Sequence, residues 1–179
     1  MSFPLFLREC YGHAIINGPS NRFFSSARWR YYRGRLAPGS GRFSSMTGLY
    51  LHSPGSIWIG DDVSFNQFVL LDACDGGSIR IGNHCLIGPF VVMRAADHAF
   101  SDPGKPIRLQ GHVGGKIVLE DDCWIGGHVF ITRDVTIGRG SVIGAGSVVT
   151  KDIPPLSVAA GHPARVIRRR DEGKAAVDR

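Results

Sequence analysis

Aliphatic residues recur at every sixth position through the C-terminal half of the chain: Leu119, Ile125, Ile131, Ile137, Ile143 and Val149. Two residues before each stands a small or aliphatic companion: Ile117, Cys123, Val129, Val135, Ser141 and Ser147. Positions two apart share one face of an extended strand, so each unit is a very short strand followed by a corner, with no room for a helix. Glycine follows the marker at Gly126, Gly138 and Gly144, where the chain is expected to bend without a Cβ clash. The same beat occurs earlier as Ile59, Phe65, Leu71 and again as Ile81, Ile87, Met93, with four extra residues between the runs around DACDGG. A unit this short cannot bury its own apolar face, so successive units must stack into a solenoid. A β-sandwich of alternating strands does not hold a six-residue register over roughly 30 residues.

The longest break in the beat is RAADHAFSDPGKPIRLQGHVGGK, residues 94–116. Residues 99–116 carry Pro103, Pro106 and four glycines and no six-residue marker. A stacked coil can eject such a segment at a corner while the strands on either side keep their register, and long loops on rigid scaffolds are where function tends to sit. His98 stands at the base of this excursion. The chain therefore divides into an N-terminal segment (1–56), a repeating body (57–155) with the excursion loop 99–116, and a C-terminal tail (156–179).

Composition changes this picture mainly at the N-terminus. The net charge is +6. Residues 1–50 hold seven arginines and one acid, Glu9, whereas the remainder balances 14 basic against 14 acidic residues. The basic segment is interleaved with aromatics, as in RFFSSARWRYYRGRL. It is expected to cap the open end of the solenoid, to lie on an anionic membrane surface or to face a phosphate-rich substrate; nucleic acid is not an expected partner. No stretch approaches the ~18 apolar residues of a membrane span. Four cysteines without CxxC spacing point to a reduced, cytoplasmic setting.

The segments IGDDVSFNQFVLLDA, IRIGNHCLIGPFVVMRAADHAF, WIGGHVFITRDVTIGRGSVIGAGSVVTKDIPP and AAGHPARVIRRR resemble the hexapeptide-repeat acyltransferases. The branch they resemble contains the galactoside, maltose and xenobiotic acetyltransferases and the sugar O-acetyltransferases of surface-polysaccharide pathways. The resemblance runs from residue 57 to 170. It implies an all-β fold, a left-handed parallel β-helix of three hexads per coil, and a homotrimer. It also implies acetyl-CoA as acyl donor, no metal, and a sugar hydroxyl as acceptor.

Site residues follow from the same motifs. His98 matches the family's general base, and imidazole suits the task because it takes and returns a proton near neutrality. Trp124 matches the tryptophan of WIG, beside the histidine and the pantetheine arm; a tryptophan on a β-surface is otherwise a packing residue. Gly127, Ala145, Thr150 and Lys151 match the coenzyme A path, and Arg165 and Arg168 its phosphates. The family often has serine where Gly127 stands. Asn66 and Asp72 match the acceptor pocket, with a capping or turn role as the alternative.

Other chemistries are weaker on these residues. Cys123 occupies an inward companion position and reads as a small core residue, not a nucleophile. GRGSVIGAG lies within the hexads with no helix after it, so it is not a dinucleotide loop. His84 and His128 read as corner residues; His13, His52 and His162 lie outside the repeat, and His112 lies in the excursion, where it is a candidate substrate contact. Two alternatives remain within the fold: an N-acetyltransferase on an amino-sugar nucleotide, and a zinc-dependent hexapeptide carbonic anhydrase, which needs three histidines at a trimer interface.

Overall fold

The computed structural model describes residues 3–172. From Phe43 to Gly161 the chain winds as a three-sided prism of short parallel strands. Face A stacks Phe43–Ser45, Val63–Phe65, Leu86–Ile87, Trp124–Ile125, Val142–Ile143 and Ser157–Gly161. Face B stacks Tyr50–His52, Leu70–Asp72, Val92–Arg94, Phe130–Ile131 and Val148–Val149. Face C stacks Ile57–Ile59, Ser78–Ile81, Lys116–Leu119 and Val135–Ile137. This is the left-handed parallel β-helix that the sequence resemblance implies.

The hydrophobic register is the reason the coils stay aligned. Every marker from Ile59 to Val149 and every companion from Ile117 to Ser147 is buried. A slip of one residue would turn these columns outward. The two serines among the companions are satisfied where they are buried. Ser141 Oγ donates to Pro154 O and accepts from Ser157 N–H, and Ser147 Oγ donates to Gly144 O and accepts from Gly161 N–H.

The corners differ from the sequence expectation in their mechanism. The left-handed residue lies three positions after the marker, and it is usually not glycine: Asp62, Phe68, His84, Phe90, Asp122, His128 and Asp134 all have φ between 55° and 59°. Gly126 and Gly138 instead allow close stacking. A Cβ on Gly126 would lie 2.6 Å from the backbone nitrogen of Ala145, and one on Gly138 would lie 2.4 Å from that of Pro155.

Both boundaries of the repeating body are corrected outward. Phe43–Ser45 pairs in parallel with Val63–Phe65, and Tyr50–His52 pairs with Leu70–Asp72, so the first coil begins at residue 43 and not 57. Its beat is hidden because a serine, Ser45, stands at the first marker position and the turn around Ser53 stretches the next interval, Leu51 to Ile59, to eight residues. Ser157–Gly161 continues face A beyond residue 155, and Ala164–Arg169 folds back antiparallel upon it. Residues 173–179 of the tail lie outside the described residues.

Two helices, α1 (Phe3–Asn17) and α2 (Arg22–Arg33), close the N-terminal end. Arg28 of α2 is fully buried and, among the described residues, has no carboxylate partner. Its guanidinium donates to the carbonyls of Ile15, Gly18, Pro19 and Ser45 and to Ser45 Oγ, joining the end of α1 to the first coil. Tyr32 Oη donates to Leu49 O from the same helix. Arg35 stacks over Tyr31, while Arg33 and Arg42 lie near the Trp29 ring. Part of the basic, aromatic composition is thus consumed in fastening the cap.

Candidate active site

The excursion leaves the prism at the edge between faces B and C. Ala96–His98 pairs antiparallel with His112–Gly114, and this two-stranded ribbon carries residues 99–111 at its tip. His98 stands opposite His112, ring centroids 4.4 Å apart. His112 Nδ1 lies 3.7 Å from Asp75 Oδ1. Arg133 Nε donates to Asp97 at 2.8 Å and fixes the base of the ribbon to the next coil. The structure therefore places the expected base on a rigid stem, exposed, beside a second imidazole.

Asp72 belongs to this same edge. It is buried, and Arg94 Nη1 donates to its Oδ2 at 2.5 Å, while Cys74 N–H donates to Oδ1. Burial alone would raise its pKa, but the Cys74 hydrogen bonds and the Arg94 charge outweigh that and hold it below the usual carboxylate range. His52, Asp72 and Cys74 form a group with ligand atoms within 4.8 Å of one another. It contains one histidine, and Arg94 already occupies its carboxylate. Among the described residues, no single chain forms the three-histidine group of the carbonic anhydrase alternative.

Face A carries the rest. Ser64, Leu86, Trp124, Val142, Val158 and Arg168 stand in one outward row. Trp124 is 54% exposed, so it is a surface residue and not a packing residue of this chain. It stands between two hollows. One, of about 230 Å³, is lined by Met46, Ser64, Asn66, Leu86 and Trp124. The other, of about 490 Å³, is lined by His84, Trp124, Val142, Val158, Arg168 and Arg170.

The remaining cofactor candidates spread over the C-terminal end of the prism. Gly127 and Ala145 sit on successive coils at the edge between faces A and B, while Thr150 and Lys151 turn the next corner, exposed. Arg165 is exposed and donates to Ala164 O, so it lies apart from the Trp124 hollow. Two residues of that hollow were missed in the sequence. Arg170 is held by Asp122 and Gly140 O, and His84 is held by Asp62 at 3.0 Å. The hydrogen bond and charge of Asp62 raise the His84 pKa. The only prior signal was the run RVIRRR for Arg170; His84 gave none, because its partner lies 22 residues away.

Cys123 is buried as expected, and its interaction with Cys85 together with desolvation pushes its thiol pKa far upward, the opposite of an activated nucleophile. Within one chain the two halves of the expected site do not meet. His98, His112 and Asp72 occupy the edge between faces B and C, whereas Asn66, Trp124 and Arg168 lie on or beside face A, across the prism.

Known proteins share this fold. Residues 116–151 match the family model "Bacterial transferase hexapeptide (six repeats)". The galactoside O-acetyltransferase of Escherichia coli (strain K12) is 46% identical over 123 residues, which cover 67% of this chain and 57% of that protein. The chain spans about half the length of the curated relatives it matches. Solved structures align over more of their length. A maltose O-acetyltransferase from Clostridium difficile 630 is 31% identical, with a TM-score of 0.76, over 94% of this chain and 89% of that one. A hexapeptide-repeat acetyltransferase from Vibrio cholerae O1 biovar eltor, complexed with acetyl coenzyme A, is 32% identical, with a TM-score of 0.74, over 93% and 87%. On its repeats, its fold and these relatives, the chain belongs to the family of hexapeptide-repeat acetyltransferases.

Proposed function

We propose that this protein is an acetyl-CoA-dependent O-acetyltransferase acting on a sugar hydroxyl in surface-polysaccharide synthesis, with His98 as general base. The observation that carries the reading is the excursion: an otherwise unbroken stack is interrupted once, and the interruption presents an exposed imidazole on a braced stem. His98 takes the proton from the acceptor hydroxyl as its oxygen attacks the thioester carbonyl carbon. The tetrahedral intermediate then collapses, the carbon–sulfur bond breaks, and the leaving thiolate receives the proton back from His98. An acetyl ester and free coenzyme A result.

Coenzyme A is assigned to the Trp124 side. The hollow between Trp124 and Arg168 would take the pantetheine, Gly127 and Ala145 would let it pass close to the backbone, and Thr150, Lys151, Arg165 and Arg168 would meet its polar and phosphate groups. Asn66, at the other side of Trp124, would hydrogen-bond the acceptor. Asp72, pinned by Arg94, would act from the His98 edge.

Because the His98 edge and face A lie on opposite sides of one prism, the site closes only between copies. A cyclic homotrimer, each subunit offering its His98 edge to the Trp124 face of a neighbour, completes three sites. The helical cap exposes Leu7, Tyr11 and Phe23 as well as Arg30 and Arg33, which suits peripheral contact with the inner, cytoplasmic membrane face. The test of the reaction is acceptor-dependent release of thiol from acetyl-CoA, with the acetylated sugar identified by mass. An acceptor panel that includes amino-sugar nucleotides decides between ester and amide products. Stoichiometric zinc together with carbon dioxide hydration would overturn the reading.

A further inference from the structure

The smaller hollow beside Trp124, the one with Asn66, does not end there. It shares Met46, Ser64 and Phe65 with a larger groove of about 440 Å³ between α2 and the first two coils. This groove is assigned to nothing by the reaction described above. Its chemistry is distinctive. Two arginines, Arg22 and Arg42, line it together with a set of hydroxyls that includes Ser26, Ser44 and Ser64, and no carboxylate lines it.

The two arginines have no ion pair among the described residues. Arg42 is held in place instead. Its backbone N–H donates to Asp61 at 2.8 Å, and its guanidinium carbon lies 5.5 Å from the centre of the Trp29 ring. Arg42 and Ser44 also border an adjoining hollow with Asp61 and Asp62, where Asp61 accepts that N–H and Asp62 bonds to His84. Among the described residues Ser26 Oγ has no hydrogen-bond partner and Ser44 Oγ bonds only to Ser64 Oγ, which leaves hydroxyl capacity facing the groove. Two guanidinium groups without an ion pair among the described residues, beside hydroxyls in a groove whose own lining holds no carboxylate, match a phosphate ester carried on a polyol.

We propose that this groove binds the phosphate of a phosphorylated or diphosphate-linked sugar acceptor, and so selects charged acceptors over neutral sugars. The proposal rests on the acetyltransferase reading for its purpose, since the groove leads to Trp124 from the side opposite Arg168. Donor and acceptor then approach the reacting centre from opposite ends of face A, each with its phosphates held by a separate pair of arginines.

Calorimetric titration of the full chain with a hexose 1-phosphate and with the same free hexose, both in saturating coenzyme A to fill the Arg165–Arg168 side, tests this. The phosphorylated sugar is expected to bind at least about tenfold more tightly. The Arg22→Gln/Arg42→Gln variant should lose that preference while it remains folded, by circular dichroism, and keeps its coenzyme A affinity. Competition by a nucleoside-diphosphate hexose and by a short-prenyl-diphosphate hexose distinguishes the two carriers of the same phosphate chemistry. Equal affinity for charged and neutral sugar, or a preference that survives in the double variant, overturns the proposal. A protein that fails to bind coenzyme A but keeps an Arg22- and Arg42-dependent phosphate affinity would sink the acetyltransferase reading and leave the groove assignment standing.

Discussion

Arg28→Met is the substitution whose consequence is most directly worked from the structure. It removes five hydrogen bonds, the shortest being to Ser45 O at 2.9 Å and Gly18 O at 3.1 Å. Each buried carbonyl left without a donor costs about 1–3 kcal/mol, so these two alone amount to roughly 2–6 kcal/mol. Part is returned because the buried guanidinium itself is held at a desolvation cost, which is what lowers its pKa. A net loss of about 3 kcal/mol corresponds to roughly 6–12 °C in Tm for a chain of this length, if unfolding is cooperative. The loss should be local in origin. Hydrogen exchange should rise in α1, in α2 and around Ser45, while the strands from Leu86 to Val149 keep their protection. Arg28→Lys should recover only part of it, since one ammonium cannot reach five acceptors set around a planar fork. An unchanged Tm with a protected cap would refute the reasoning, because the cap would then be held by apolar contact alone.

Further outcomes follow from the same geometry. His98→Ala and Trp124→Ala proteins should each be inactive, yet co-refolded mixtures should regain part of the wild-type turnover if the site is shared; a mixture as inactive as its parents would contradict the trimer. Asp62 raises the His84 pKa above the ordinary 6.5, so their contact favours the fold below that value and is lost as pH rises through the folded value. The His84 resonance should accordingly titrate above its position in Asp62→Asn, and identical midpoints would remove the contact. Anionic vesicles should sediment the protein at low salt and release it at high salt, with Arg30→Gln/Arg33→Gln weakening binding by about 2 kcal/mol; equal binding to neutral vesicles would leave the helices as a cap only.

The six-residue columns made the solenoid legible, because burial on a short strand depends on few positions, and Ile125 or Val149 announces its role without its neighbours. Phe43 and Leu51 did not, since the first marker beside Phe43 is a serine and the turn after Leu51 stretches the spacing to Ile59 to eight residues. The corners were misread for a physical reason: the left-handed conformation falls on Asp, His and Phe held by coil stacking, while Gly126 and Gly138 answer to the backbone of the next coil. His98 was legible as the candidate base through its motif and its place at the interruption. Its neighbour His112 was legible only as a resident of the excursion, because antiparallel pairing across 14 residues is set by the ribbon. Arg28 read as one charge among seven; its burial arises from three carbonyls at the end of α1 that no local pattern reveals.

The central claim is that an exposed imidazole at the excursion performs proton transfer in acetylation. Steady-state thiol release from acetyl-CoA, with and without acceptor, should be compared between the wild-type protein and His98→Ala of verified trimeric state. The account predicts a fall in kcat of about 10²–10⁴ with coenzyme A affinity unchanged. A folded His98→Ala protein that turns over at the wild-type rate would contradict it.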